Sequence, residues 1–308
     1  MSVEQKVKLG LSVTAQSFGF FKAHKWLVLF PVVSLLAKLV LIAAVAVGVF
    51  EVAVMTDVFG VGADTSQAAA AEKVAETGGP ANEKTEVLSV AGFAALFCLY
   101  VCISFVFNFF NVALTACVLS IFKDDPVGFG GGISLATRRL TAILGWSVIV
   151  AVIGSIANAF DSRGPSFSNL LTILGGLAWR MATFFVIPII ASKRTGSVSA
   201  IKESVQIMQR VWGESVVAHL GFRGVGLLLI LLVTGGAMAA THLVVGPEAL
   251  LTTAAVLTPL VLILFLFLST IGTIARAALF YYATEDTAPS QFDGDTLRSA
   301  ITKKRFST

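Results

Sequence analysis

The stretch Thr183-Phe-Phe-Val-Ile-Pro-Ile-Ile-Ala191 is an apolar run that meets Lys193 and Arg194 and continues into the segment 198–212. In that segment apolar residues recur at helical spacing on one side and polar residues occupy the other side. The two sets are Val198, Ile201, Val205, Met208 and Trp212 against Lys202, Glu203, Gln206, Gln209 and Arg210. This pattern predicts a chain that leaves a bilayer and then forms a cytoplasmic amphipathic helix over 193–213 on the membrane surface.

The composition extends this interpretation to the whole chain. Apolar residues make up 56% of the 308 residues and charged residues 13%, about half of the ~25% expected in a soluble domain. The apolar residues fall into six runs, each at least as long as the ~20 residues that span a hydrocarbon core: 26–55, 88–122, 140–160, 170–192, 216–245 and 250–282. The sequence therefore predicts an all-α polytopic membrane protein, a single integral membrane domain over 1–308 with six transmembrane helices.

The distribution of Lys and Arg predicts the orientation. Fifteen of these residues lie in the N-terminal segment, in 123–139, in 193–210 and in the C-terminal tail, whereas the alternate connections hold Lys73, Lys84 and Arg163. Because cytoplasmic segments carry the excess of Lys and Arg, both termini are predicted to be cytoplasmic in the cytoplasmic (inner) membrane. This places an amphipathic segment at 1–25, an external loop at 56–87 and a cytoplasmic tail at 284–308, and no cleaved signal is expected.

A layout of surface helix followed by membrane hairpin occurs three times along the chain. The three copies begin before Trp26, Trp146 and Trp212, and the helices of each pair are expected to form an antiparallel hairpin. In the second copy, Gly130 to Gly132 are interpreted as a flexible turn before a surface helix over 133–145, since no phosphate-loop ending follows them. The residues predicted to anchor these elements at the membrane surface are Trp26, Arg138, Arg139, Trp146, Lys202, Arg210 and Trp212.

Four cations inside the apolar runs require an explanation, because a charge at mid-bilayer costs at least ~2.5 kcal/mol on insertion scales. They are Lys38, Arg180, Arg223 and Arg276. Arg223 and Arg276 are predicted to lie near the cytoplasmic ends of their helices, where their side chains can reach the headgroups. Lys38 follows Pro31, at the predicted cytoplasmic start of the first membrane helix, by about two helical turns, so its long side chain can carry the ammonium to the cytoplasmic headgroups. Arg180 lies deeper, and three roles stay open: a structural polar contact, a polar cavity or lipid-headgroup site, and a transport role. The candidate polar or lipid site comprises Lys38, Asn108, Asn111, Trp179 and Arg180. Asn108 and Asn111 are expected to form hydrogen bonds between helices.

The residue types that perform catalysis or ligate metals are sparse and scattered. Cys98, Cys102 and Cys117 lack a fourth thiolate or a nearby His and are expected to be buried, inert thiols. His24, His219 and His242 are dispersed. We therefore expect no catalytic residues, no cofactor and no metal, and hence no enzyme. The mild net charge of +4 is interpreted as membrane-facing, so no nucleic-acid partner is expected.

Several short motifs resemble an uncharacterised family of bacterial and archaeal multi-pass membrane proteins, known only as a domain of unknown function. They are Leu29-Phe30-Pro31, Ala136 to Arg139 before Ile143 to Trp146, Trp179 before Thr183 to Pro188, Ala200 with Lys202 and Ser204 before Trp212 to Glu214, Tyr282-Ala283, and Phe292-Asp293 with Leu297. The resemblance implies an integral membrane protein without an assigned activity. Lys38 and Arg180 are not part of the family's pattern.

Taken together, these patterns favour a non-enzymatic accessory or scaffold subunit. Its expected partners are membrane lipids and other membrane-protein subunits or a second copy of itself, bound through the surface helices and the Phe-rich second membrane helix. The alternative is a carrier or lipid-handling protein with a polar site around Arg180.

Overall fold

The structure is a computed structural model that describes residues 3–58, 81–161, 176, 178–211, 234–237, 241 and 250–300. Of these residues 87% are helical and none is in a strand. The helices are α1 (Val3–Ala23), α2 (Leu29–Val58), α3 (Ala81–Phe122), α4 (Phe129–Thr137), α5 (Leu140–Asp161), α6 (Val186–Ser192), α7 (Ser197–Val211), α8 (Leu250–Glu285) and α9 (Gly294–Ala300), with a 3₁₀ turn at Lys25–Val28.

Three helical segments of the described chain are long and apolar enough to cross a membrane: Lys25–Gly48, Ala94–Phe122 and Thr252–Glu285. Helices α4 and α5 meet at a bend of 76°, and the two together add a fourth span if they form one broken crossing. Ala178–Ser192 is a shorter apolar helical segment with a turn at 183–185. Most of the predicted fifth run, the turn after α5 and most of the external loop lie outside the described residues.

The hydrophobic core lies at one end of the helix bundle, which we term the packed end. It is formed by the start of α2, the last turns of α3, the start of α5, the whole of α6 and the last turns of α8. Phe30, Ile143, Phe185 and Ile274 are fully buried there. The other halves of α2 and α8 are exposed, and only 11% of the residues in their most apolar stretches are buried.

Helix α7 packs on the protein through a face that overlaps only in part with the apolar face indicated by the sequence pattern. Ala200, Ser204 and Ile207 are buried against the bundle together with Met208 of the predicted face, whereas Val198 of that face is 60% exposed. The Ser204 hydroxyl accepts a hydrogen bond from the backbone N–H of Phe185 at 3.1 Å. Small residues let the helix approach the bundle closely, and their weak apolar character hides such a face from periodicity.

Helix α1 shows the same arrangement. Apolar periodicity in the N-terminal segment predicts one face with Val7, Leu11, Phe18 and Phe21. Leu11 and Phe18 are exposed, whereas Phe21 is buried together with Val13, Ser17 and Phe20. Ser17 is accommodated in this buried face because its hydroxyl donates to the carbonyl of Val13 at 2.8 Å. Each of these two amphipathic helices therefore has three faces: one packed on protein, one apolar and outward, and one polar.

The glycine run that follows α3 is helical and belongs to α4, so the predicted flexible turn is wrong. Helix α4 begins at Phe129, includes Gly130 to Gly132, and ends at Thr137 rather than at Gly145. Gly132 is buried against α3, where a Cβ would meet the sulfur of Cys117 and the carbonyl oxygen of Ala113. A residue without a side chain is required at that close approach, which explains why position 132 is glycine.

The first helix, α1, and the segment that leads into α9 meet at the packed end. Phe20 of α1 and Phe292 of the C-terminal segment both pack on Phe122, with ring centroids 5.2 and 5.6 Å away. Gln16 accepts a hydrogen bond from the backbone N–H of Asp293 at 3.0 Å and donates one to the hydroxyl of Thr296 at 3.3 Å. The N-terminal and C-terminal helices therefore lie on the same side of the helix bundle.

Candidate functional site

Lys38 lies in a small cavity of about 30 Å³ between α2, α3 and α8. Its ammonium is 5.1 Å from the centroid of the Phe107 ring, within the ~6 Å at which a ring face attracts a cation. The ammonium thus lies against a ring of α3, and the expectation that it reaches the headgroups stays a prediction. The cavity is lined by Pro31, Ser34, Lys38, Phe107, Phe110, Asn111, Leu114, Phe265, Leu266 and Ser269.

The two asparagines of α3 have different roles. Asn108 is buried and its amide donates to the hydroxyls of Ser104 at 3.3 Å and of Ser147 at 3.0 Å. The bond to Ser147 joins α3 to α5 and confirms the interhelical hydrogen bond predicted for this residue. Asn111 donates instead to the carbonyl of Phe107 in its own helix at 3.1 Å, so the prediction is wrong for Asn111, and its amide lines the Lys38 cavity.

Trp179 and Arg180 lie apart from that cavity. The indole of Trp179 stacks on Trp146 with centroids 5.9 Å apart and an interplanar angle of 20°. The Arg180 side chain is exposed, and it lines neither this cavity nor the groove described below. Of the five predicted polar-site residues, the structure therefore brings Lys38 and Asn111 together and leaves Asn108, Trp179 and Arg180 in other surroundings.

A larger groove of about 610 Å³ lies between α7 and the end of α8. Three cations line it, and one of them, Lys193, is paired with the carboxylate of Glu203. Lys202 and Arg210 are exposed on the polar face of α7, which leaves the groove with an excess of positive charge. Its lining is Lys193, Ser199, Lys202, Glu203, Gln206, Ile207, Arg210, Ala283 and Thr284.

The predicted surface anchors have unequal environments. Arg138 is exposed, but Arg139 at the bend between α4 and α5 donates to the backbone carbonyl of Ala191 at the end of α6. Trp146 is 6% exposed and belongs to the core, which corrects its assignment as an anchor. Trp26 is half-buried against Phe30. Trp212 lies outside the described residues.

The thiols differ from the expectation of three buried cysteines. Cys98 and Cys102 are exposed on α3, and Cys117 is buried. The reason is position along α3, because the first two precede the packed end and the third lies within it. Within the part of the chain that the structure describes, no group of three His, Cys, Asp or Glu side chains could hold a metal ion.

Sequence reasoning missed Ser34 and Ser269, the two hydroxyls that line the Lys38 cavity. Ser34 carried a signal, since it stands one helical turn before Lys38 and so shares its face of α2. Ser269 carried none, because the pairing of α8 with α2 and α3 depends on packing and not on any local pattern. Thr284 and Ala283 of the groove were missed for the same reason.

These observations define the class of protein: the apolar spans of an all-helical chain place it among the helical membrane proteins. More particularly, the chain belongs to the family of unknown function DUF6159, whose sequence model matches residues 90–290. The match runs from α3 to the segment after α8, and α1, α2 and α9 lie outside it. No curated protein and no solved structure matches the chain.

Proposed function

We propose that this protein is a non-enzymatic accessory or scaffold subunit of the cytoplasmic (inner) membrane that associates with other membrane proteins and with lipids. The observation that supports this function is the contrast between the packed end and the exposed halves of the spans. Large apolar side chains are exposed on α2, α3 and α8, among them Val40 at 69%, Leu96 at 66% and Val256 at 71%. Such faces fit other transmembrane helices or lipid chains.

The topology that we propose has six crossings, in three hairpins, with both termini in the cytoplasm. The contact between α1 and α9 supports termini on one side, and a chain whose ends share a side crosses the membrane an even number of times. Lys22, Lys123 and Arg138 lie near the packed end, where the positive-inside rule favours the cytoplasm. Cysteine-accessibility labelling at each terminus tests this topology, and termini that label from opposite sides would exclude it.

The three-faced surface helices support an association with lipid at the same side. Leu11 and Phe18 of α1 are 47% and 37% exposed, and Val198 of α7 is 60% exposed. Each helix also has a separate protein-packed face, so Leu11 and Val198 can enter the interfacial region of the bilayer. The ring of Phe18 instead packs edge-to-face on Phe267 of α8, with centroids 5.7 Å apart.

Site-specific photo-crosslinking in native membranes tests the proposed subunit role. A photoreactive phenylalanine analogue at Val40 or Val256 should give discrete protein adducts in addition to lipid adducts, because both positions face outward. The matched control is Ile274, which is fully buried in α8 and should react only within the chain. Lipid adducts alone at both outward positions would contradict the subunit role.

The native thiols separate self-association from binding to a different subunit. If α3 pairs with a second copy, oxidation of the membranes should link copies through Cys98 or Cys102, which are exposed. Replacing both with Ser should abolish the linked dimer, whereas Cys117→Ser should leave it unchanged. Photo-adducts without such a dimer would indicate a different partner.

A second candidate function, lipid handling, is favoured by the basic groove. Its volume of about 610 Å³ and its cations Lys193, Lys202 and Arg210 suit an anionic lipid headgroup. In nanodiscs that mix phosphatidylcholine and phosphatidylglycerol, the annular lipid should be enriched in phosphatidylglycerol, and Lys202→Gln with Arg210→Gln should remove the enrichment. Arg138→Gln is the matched control, since it removes an exposed charge outside the groove.

The outcomes of the nanodisc experiment distinguish the two functions and test the absence of catalysis. Equal enrichment in the groove variant and the control variant would reject a headgroup site in the groove. Recovery of chemically altered lipid, measured by mass spectrometry after incubation, would contradict the proposal that the protein is not an enzyme.

A further inference from the structure

The polar groups around the Lys38 cavity are mainly hydrogen-bond donors. The Lys38 ammonium carries three N–H groups, the hydroxyls of Ser34 and Ser269 each add one, and the Asn111 amide retains an N–H beyond the one given to Phe107. These groups come from three helices and meet in one place. No carboxylate is among the residues that line the cavity. A convergent set of donors without an acid is complementary to an anion.

The charge of Lys38 has no counter-ion among the described residues. The contact that the structure gives its ammonium is the ring of Phe107. A cation–π contact offsets only part of the cost of holding an ammonium among apolar helices. An anion in the cavity would neutralise the charge at the point where it is placed.

Ser34 provides an independent observation. It is 3% exposed, and its hydroxyl is a buried polar group without a hydrogen-bond partner in the described structure. A buried hydroxyl normally has a partner, since leaving it unsatisfied is unfavourable. Because Ser34 lines the cavity one turn before Lys38, a group bound there would accept its proton.

The cavity has a suitable size and an opening. Its volume of about 30 Å³ is sufficient for a single small ion or one phosphate oxygen, given that one water needs ~10–15 Å³ by the same measure. Phe107 and Phe265, both 44% exposed, stand at its outer side. A ligand can therefore approach from outside the bundle, either as a free ion or as part of a lipid headgroup.

We propose that the cavity between α2, α3 and α8 is an anion-binding site in which Lys38, Ser34, Asn111 and Ser269 hold a small inorganic anion or the phosphate oxygens of an anionic lipid. The shared chemistry is a negatively charged hydrogen-bond acceptor. This site lies apart from the basic groove and does not depend on the accessory or lipid-handling role.

The experiment uses the full-length protein, delipidated in a maltoside detergent that contains no phosphate. In one arm chloride replaces gluconate at constant ionic strength, and in the other arm phosphatidylglycerol is added without chloride. The readout is the thermal unfolding midpoint. A saturable rise with chloride identifies a free anion as the ligand, whereas a saturable rise with phosphatidylglycerol alone identifies a lipid phosphate. Uncharged diacylglycerol controls for the acyl chains.

Two variants assign the effect to the cavity. Lys38→Met should fold, because it removes a charge from an apolar segment, and it should lose the saturable rise. Ser34→Ala retains the charge but loses one hydrogen bond to the anion, and the apparent affinity should fall about tenfold. Lys25→Met, at an exposed lysine of the preceding turn, should titrate like the wild type.

Two results would overturn the site. The first is a midpoint that does not respond to chloride or to phosphatidylglycerol, which would mean that the cavity is empty or holds water. The second is a response that Lys38→Met and Ser34→Ala both retain in full, which would place the bound anion elsewhere.

Discussion

Replacing Gly132 with Ala tests the contact between α4 and α3 most directly. A Cβ at this position would lie 3.0 Å from the carbonyl oxygen of Ala113 and 3.0 Å from Cζ of Phe30, and closer still to the sulfur of Cys117. Optimal contacts between carbon atoms are about 3.5–4.0 Å. The neighbours are helix backbone and core side chains that are fully buried, so they have little room to move.

The expected size of the effect follows from a matched pair of glycines in the same helix. Gly130→Ala meets nothing within 4 Å and should stabilise by about 0.5–1 kcal/mol, because alanine loses less backbone entropy in a helix. Gly132→Ala has the same gain, but overpacking a core costs about 1–3 kcal/mol. Because the gain in helix stability from alanine is the same in both variants, Gly132→Ala should be less stable than Gly130→Ala by about 1–3 kcal/mol.

The assay is reversible unfolding in mixed micelles of increasing dodecyl sulfate content, followed by circular dichroism. Adding Cys117→Ala to Gly132→Ala should recover part of the loss, because the closest atom is then removed, and the double-mutant cycle measures that coupling. If Gly132→Ala is as stable as Gly130→Ala, α4 does not pack on α3 as described.

Three further predictions follow from individual hydrogen bonds. A double-mutant cycle of Asn108→Ala and Ser147→Ala should give a coupling of about 0.6–1.7 kcal/mol, the range for hydrogen bonds between membrane helices, whereas a coupling near zero would mean that these side chains do not interact. Ser204→Val should destabilise by about 1–3 kcal/mol in the same unfolding assay, because it leaves the buried N–H of Phe185 without an acceptor, and a neutral effect would contradict that bond. Hydrogen bonds from the side chain and the backbone N–H of residue 296 lower the pKa of the Asp293 carboxyl below its ordinary value near 3.8. The stability that this carboxylate gives to the start of α9 is therefore fully present above that value and is lost as the pH falls through the lowered pKa. The protection of the α9 amides against hydrogen exchange, relative to the intrinsic exchange rate at each pH, should therefore fall on acidification below about pH 4. An identical pH profile of protection in Asp293→Asn would remove the carboxylate as the cause.

The candidate polar site shows where sequence reasoning ended. The sequence identified Lys38 and Asn111 as unusual because charged and amide side chains are conspicuous in apolar runs. It assigned them to one candidate polar site but predicted no contact between them, since they are 73 positions apart in the chain. It also gave Arg180 a place at the site that the structure does not support. Ser34 and Ser269 are too common in membrane helices to attract attention, although both line the cavity.

The surface helices show a related difference in the choice of face. Periodicity identified an apolar stripe on α1 and on α7, and Leu11 and Val198 in those stripes are indeed outward. The faces that pack on the bundle contain the small residues Ser17, Ala200 and Ser204 beside large apolar residues such as Phe20 and Ile207. Close approach between helices favours small residues, and serine at such positions weakens the apolar periodicity of the packed face.

The sequence by itself determined the helical membrane class and the family, because apolar runs of this length and composition have few other stable structures. It also determined where the chain turns from apolar run to amphipathic helix, as at Lys193. Only the tertiary structure decided that Gly130 to Gly132 are helical, that Asn108 bonds across to Ser147, and that Lys38 shares a cavity with Ser34, Asn111 and Ser269. The physical reason is that helix formation depends on local residues, whereas the choice of neighbour depends on shape and on hydrogen-bond partners that are distant in the chain.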